Sequence, residues 1–181
     1  MNTTHRCRRS VFCASVFFLI PAISLGAQTQ TREISVAVGV MQYDVSGTGT
    51  APVIALRTAV PFVRSWLLGE ASLSYASLDE QFSTVGTRVG VAEGQVQVQW
   101  PAARVRPYLG LGGGLLHYFN NAGGGRVATS PTISGGVGLR LGLSPRVGVR
   151  GELRSRTWGR GGGSIYFDSA AEWTVGLAYT F

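Results

Sequence analysis

Ala171-Glu172-Trp173-Thr174-Val175-Gly176-Leu177-Ala178-Tyr179-Thr180-Phe181 alternates without a break to the last residue. One face carries Trp173, Val175, Leu177, Tyr179 and Phe181, and the other Glu172, Thr174, Gly176, Ala178 and Thr180. A period of two is the signature of extended β structure. Here the apolar face is large and aromatic, while the opposite face is small or polar. A water-soluble barrel would turn its polar face outward. This pattern instead suits a strand with lipid outside and a polar interior.

Working back from that stretch, the chain reads as strand after strand, separated by turn chemistry. Seven more strands are predicted, over residues 33–44, 53–60, 66–77, 88–100, 106–118, 129–142 and 147–157. The fourth is the most regular: Glu93, Gln95, Gln97 and Gln99 alternate with Ala92, Gly94, Val96, Val98 and Trp100. The fifth contains Gly112-Gly113-Gly114, which blurs the alternation and leaves its faces unassigned. Connections after the second, fourth and sixth strands read as tight, and those after the first, third, fifth and seventh as longer. An even strand number with alternating loop lengths fits an all-β, eight-stranded antiparallel up-and-down transmembrane β-barrel. Closure would leave no strand edge unpaired, as hydrocarbon requires. The competing architecture is a soluble periplasmic barrel of the lipocalin type, binding a small apolar ligand.

Eight strands enclose only enough space for side chains, so the interior is expected to be filled. The inward set contains Arg57, Arg140, Arg150, Arg154 and Arg156, with Glu70, Glu93, Glu152 and Glu172. Near balance matters, because an unpaired buried charge is expensive and a paired one tolerable. Counting from the turns pairs Arg57 with Glu70 and Arg156 with Glu172. Two aromatic belts are expected at the membrane interfaces: Phe62, Trp100, Tyr108, Tyr179 and Phe181 at the turn end, and Tyr43, Tyr75, Tyr118 and Tyr166 at the loop end.

The 181 residues fit one domain. Residues 1–27 read as a cleavable export signal: Arg6, Arg8 and Arg9, a short apolar run from Val11 to Ile20, Pro21, then Ser24-Leu25-Gly26-Ala27 before the cut. The barrel domain then occupies 28–181. The apolar run is too short to span a bilayer as a helix. Cys7 and Cys13 both fall in this segment, so the mature chain would have no disulfide, thiolate metal site or cysteine nucleophile. All 16 basic residues are Arg, and loss of the first three lowers the formal charge from +7 to +4. Several of these arginines alternate with apolar residues on one strand face, which argues against a nucleic-acid surface.

Candidate chemistry is sparse. His117 is the sole histidine beyond the export segment and would have to be the base of any hydrolase triad. It stands in Leu116-His117-Tyr118-Phe119, with no serine two places on, unlike lipid A deacylases. There is no G-x-S-x-G elbow, and without lysine no Walker A loop. Asp79 and Glu80 offer at most a weak calcium site. No cofactor or metal is expected.

The mature chain resembles the small eight-stranded outer-membrane barrels, the OmpA-like and OmpX-like transmembrane domains. The resemblance rests on the Trp173-to-Phe181 strand, the Arg106-Pro107-Tyr108-Leu109-Gly110 strand start and the loop alternation, and covers nearly all of 28–181. It implies a monomer in outer-membrane lipid, whose terminal Trp173, Val175, Leu177, Tyr179 and Phe181 are read by the barrel-insertion machinery. It also implies a structural or surface-interaction role rather than catalysis, with recognition in loops around Gly47, Gln81, Asn121 and Gly161. The external ligand is not named by the sequence. The alternative within the same fold is a lipid A-modifying enzyme using His117.

Overall fold

The structure is a computed structural model and describes residues 32–44, 48–62, 65–78, 87–100, 104–119, 129–159 and 167–181. The export segment, Tyr166, Asp79, Glu80 and the loop positions Gly47, Gln81, Asn121 and Gly161 lie outside the described residues. Eight strands follow in order: β1 (Glu33–Asp44), β2 (Thr48–Pro61), β3 (Leu67–Leu78), β4 (Thr87–Gln99), β5 (Val105–Tyr118), β6 (Thr129–Gly142), β7 (Val147–Gly159) and β8 (Phe167–Thr180). Each pairs antiparallel with its chain neighbour, and β1 pairs with β8 to close the barrel. Strands of 12 to 14 residues exceed the roughly 9–11 that a tilted strand needs to cross hydrocarbon.

Period-two alternation decides which side chains enter the lumen. Val36, Val38, Ile54, Leu56, Leu73, Val96, Leu111, Ile133, Val137, Val175 and Leu177 all stand on the exposed outer surface, Ile133 and Leu111 at about three-quarters exposure. In water such a continuous apolar surface would be an aggregation site; in a bilayer it is the lipid contact. This surface, with charges inside, rules out the soluble ligand-binding barrel.

Several strand limits differ from the sequence expectation. β2 begins at Thr48, so Thr48 and Gly49 belong to a strand and only 45–47 separates it from β1. The first loop is therefore no longer than the turns at the opposite end, and the expected alternation holds only for the other three loops. Trp158, expected in a loop, lies in β7 and points inward. Glycines permit two aromatic rings to lie flat against the wall inside: Tyr43 covers Gly49, and Tyr108 covers Gly138. A Cβ at either glycine would collide with the ring, which is why no side chain stands there.

The aromatic belts are correspondingly thinner than expected. Tyr43, Tyr108 and Tyr118 are buried in the lumen. The outer surface keeps Phe62, Trp66, Trp100, Tyr179 and Phe181 toward the turn end, and Tyr75 and Phe119 toward the loop end. Tyr179 and Phe181 stack at a centroid distance of 6.4 Å, while Tyr75 and Phe119 meet at 6.3 Å with their planes tilted by 48°.

Candidate functional site

The lumen divides into two zones along the barrel axis. From the turn end to past the middle it is a network of guanidinium, carboxylate and amide groups. Arg57, Arg150, Arg154, Arg156, Glu70, Glu93, Glu152 and Glu172 are all buried there, Arg154 and Glu172 completely. Arg140 belongs to the same network at the turn end. Period two brings all nine to the inner face, most of them between apolar outward neighbours such as Leu139 and Leu141 beside Arg140, although Arg156 stands between Ser155 and Thr157.

Arg154 is the hub. It donates from Nε to Glu152 Oε1 at 2.6 Å, from Nη1 to Glu93 Oε2 at 2.9 Å, and from Nη2 to Glu70 Oε1 at 2.9 Å. Ser72 Oγ and Gln95 Oε1 take the remaining hydrogens at 3.1 and 3.2 Å. Arg150 bonds Glu70 and Glu152, and donates from Nε to the Tyr108 hydroxyl at 2.7 Å. Tyr108 in turn donates to Glu152 Oε2 at 2.6 Å. Its ring is flanked by Arg140 and Arg150, whose guanidinium carbons lie 4.3 and 4.9 Å from the centroid. Glu70, Glu93, Glu152 and Glu172 each meet at least two guanidiniums. A planar guanidinium can bridge several carboxylates at once, which an ammonium cannot.

Of the two expected pairs, Arg156 and Glu172 do meet. Arg57 and Glu70 do not form one. Register places Arg57 opposite Ser72 and Glu70 opposite Ala59, two residues out of step. Arg57 instead spans the lumen to Glu172 Oε1 at 3.0 Å, Thr174 Oγ1 at 2.9 Å and Glu152 Oε2 at 3.4 Å. Its Nε has no partner among the described residues, nor does Ser35 Oγ across the β1–β2 ladder.

Sequence reasoning missed four contributors. Glu33 pairs with Arg140 Nε at 3.2 Å, giving five carboxylates for five guanidiniums. Its position as the first residue of β1, on the same parity as Ser35, was the available signal. Gln97 Oε1 and Gln99 Oε1 accept from Arg140 at 2.6 and 3.2 Å. Tyr108, read as a belt residue, is a structural bolt of the network.

Above the charges, toward the loops, the lumen is mainly apolar, with Ser130 and Asp168 buried beside the hydrophobic side chains. Met41, Tyr43, Ala51, Val53, Ala76, Val89, Val91, Leu116, Tyr118, Trp158 and Ala170 pack into one cluster. Trp158 Nε1 donates to the Tyr118 hydroxyl at 2.9 Å. The expectation of a hydrophilic lumen is thus correct for one part and wrong for the other. The faces of β5 are now fixed: Tyr108, Leu116 and Tyr118 point inward, and Leu109, Leu111, Leu115 and His117 outward. His117 is on the exposed surface near the loop end, with Nδ1 2.8 Å from Thr129 Oγ1 and its ring edge-on to Phe119 at 5.0 Å. Among the described residues no three His, Cys, Asp or Glu side chains gather as a metal site.

A closed eight-stranded wall, an apolar girdle and a charged lumen agree with comparison to known families. The family model for the outer membrane protein β-barrel domain matches residues 12–181. The chain belongs to that family. Like its relatives, this barrel resides in the outer membrane. Among solved structures it is similar to Neisserial surface protein A, with a TM-score of 0.70 and 13% identity over 83% of this chain and 97% of that one. It is also similar to Ail, the attachment invasion locus protein of Yersinia pestis, with a TM-score of 0.57, 14% identity, and coverage of 85% and 100%. The outer membrane enzyme PagL shares the fold as well, with a TM-score of 0.56, 15% identity, and coverage of 81% and 97%. None of the curated proteins matches the chain.

Proposed function

We propose that this barrel is a non-catalytic, monomeric surface protein: a rigid post in the outer membrane that presents its loops to an external partner. The observation that carries the reading is the packing of the lumen. Among the described residues, paired charges fill one zone and a hydrophobic cluster the other, and every arginine and glutamate of the network has an ionic partner. Every buried glutamate of the network is held by arginines, which suits a structural role and not a general acid or base. Recognition then falls to the segments around Gly47, Gln81, Asn121 and Gly161, as loops on rigid scaffolds commonly serve. The likeness to Ail, named for attachment and invasion, is in keeping with an adhesive role. The terminal face Trp173, Val175, Leu177, Tyr179 and Phe181 is the segment offered to the insertion machinery, and residues 1–27 direct export.

The test replaces segments 79–86, 120–128 and 160–166 with short Ser-Gly turns. Heat-modifiable migration in detergent gels is expected to persist, while adhesion of cells displaying the barrel to an epithelial monolayer is lost. Adhesion that survives loop removal, or steady ion conductance in a planar bilayer, defeats the reading.

A second reading is favoured by one observation, the likeness to PagL together with an outward-facing His117 hydrogen-bonded to Thr129. Here the barrel modifies membrane lipid with His117 as base. If so, His117→Ala changes the lipid A profile of the cell by mass spectrometry; an unchanged profile removes the idea.

A further inference from the structure

The outer wall carries a groove of about 560 Å³ where β5, β6 and β7 meet near the turn end. Pro107, Leu139 and Gly151 form one outward row across these strands, and Leu109, Val137 and Leu153 the next. Trp100 walls the side toward β4, its backbone N–H bonded to Pro107 O at 2.9 Å. The floor is open because Gly151 has no side chain, and a Cβ built there meets nothing within 4 Å.

Besides Arg106, which takes the inward parity of β5 opposite Arg140, two exposed arginines lie in the segments that flank β5, β6 and β7 at the turn end. Arg104 is fixed beside the end of β6, its carbonyl accepting from Gly142 N at 2.9 Å. Arg146 lies in the β6–β7 turn, its carbonyl accepting from Thr180 N at 2.8 Å. Both side chains are exposed, and neither has an acidic partner among the described residues. The acid nearest that end in the described set, Glu33, is engaged by Arg140 and Arg150.

An apolar slot with two exposed arginines in the flanking turns, neither ion-paired among the described residues, has the polarity of one kind of molecule: acyl chain below, anionic phosphate above. We propose that this sector is a binding site for a single anionic glycerophospholipid of the turn-side leaflet, its phosphate on Arg104 and Arg146 and one chain lying over Gly151. Short turns mark the periplasmic end of such barrels, so the lipid comes from the inner leaflet of the outer membrane. Guanidinium suits phosphate through paired donors, and each basic residue at a membrane surface adds a several-fold preference for anionic lipid. The site is separate from the loops and owes nothing to their partner.

The experiment is native mass spectrometry of the full folded barrel, extracted in mild detergent and titrated with phosphatidylglycerol or phosphatidylethanolamine. The wild type is expected to retain one phosphatidylglycerol in preference to phosphatidylethanolamine. The double variant R104Q/R146Q is expected to lose about twenty-fivefold in phosphatidylglycerol affinity, from two contacts of about fivefold each. G151L fills the slot without touching the charges and is expected to weaken both lipids while heat-modifiable migration stays normal. Equal retention of the two lipids by the wild type overturns the proposal. So does loss in R104Q/R146Q with none in G151L, which would make the rim a diffuse basic surface without a built slot.

Discussion

The charged zone and the apolar zone of the lumen solve the same packing problem with opposite chemistry. Both fill a cylinder too narrow for a channel, and both leave their side chains almost inaccessible to water. In the apolar zone each residue contributes independently by contact, and an error costs one cavity. In the charged zone the parts are mutually dependent: Arg154 pairs with Glu70, Glu93 and Glu152 at once, and each of these is shared with another arginine. The contrast teaches that stability in the hub is collective, and that damage there should spread further than equal damage toward the loops.

Removing the hub is the severest way to break that contrast. Arg154→Ala leaves three buried carboxylates short of a partner and should cost about 3–5 kcal/mol. Urea titration of the folded fraction in lipid vesicles reads this directly. Leu116→Ala, in the apolar zone, should cost about 3 kcal/mol through transfer and cavity terms. If Leu116→Ala proves the costlier of the two, the charged zone is not the keystone. Tyr108→Phe sharpens the picture, because it deletes one hydroxyl linking Arg150 to Glu152 while keeping the ring between Arg140 and Arg150. A loss of about 1.5–3 kcal/mol is expected, the usual value of a hydrogen bond to charged groups. The smallest effect belongs to the Trp158–Tyr118 bond. A double-mutant cycle of Trp158→Phe and Tyr118→Phe should return a coupling of about 1 kcal/mol.

The same contrast explains what the sequence made legible. Where the inner face is charged or polar and the outer face apolar, alternation is unmistakable, as in Glu93 to Gln99 or Arg150 to Arg156. Those strands and their faces were readable from residue order alone. Where both faces are apolar the period vanishes. Val89 and Val91 look inward, and Leu115 outward beside Leu116, with nothing in residue type to separate them. The apolar plug was therefore invisible, and its tyrosines looked like membrane-belt residues. Thr48 and Gly49 looked like loop because glycine signals turns, whereas Gly49 is there to admit the Tyr43 ring. The Arg57 partner was misjudged for a different reason. Counting from a turn assumes its length, and Pro61 opposite Leu68 shifts the ladder by two residues. A long side chain can also ignore its neighbours and cross the lumen.

The ladder between β1 and β8 joins the first strand to the last, from Glu33 with Thr180 to Asp44 with Ser169, and is sealed by reciprocal bonds between Arg32 and Phe181 at 3.0 Å. This seam can form only after β8 has been made. Until then two raw edges face whatever surrounds them, and the entropic toll of closing a loop this long delays the final zip. Hence the barrel has no half-built state that hydrocarbon would tolerate, and a cell that makes it must shelter all eight strands until the first and last meet.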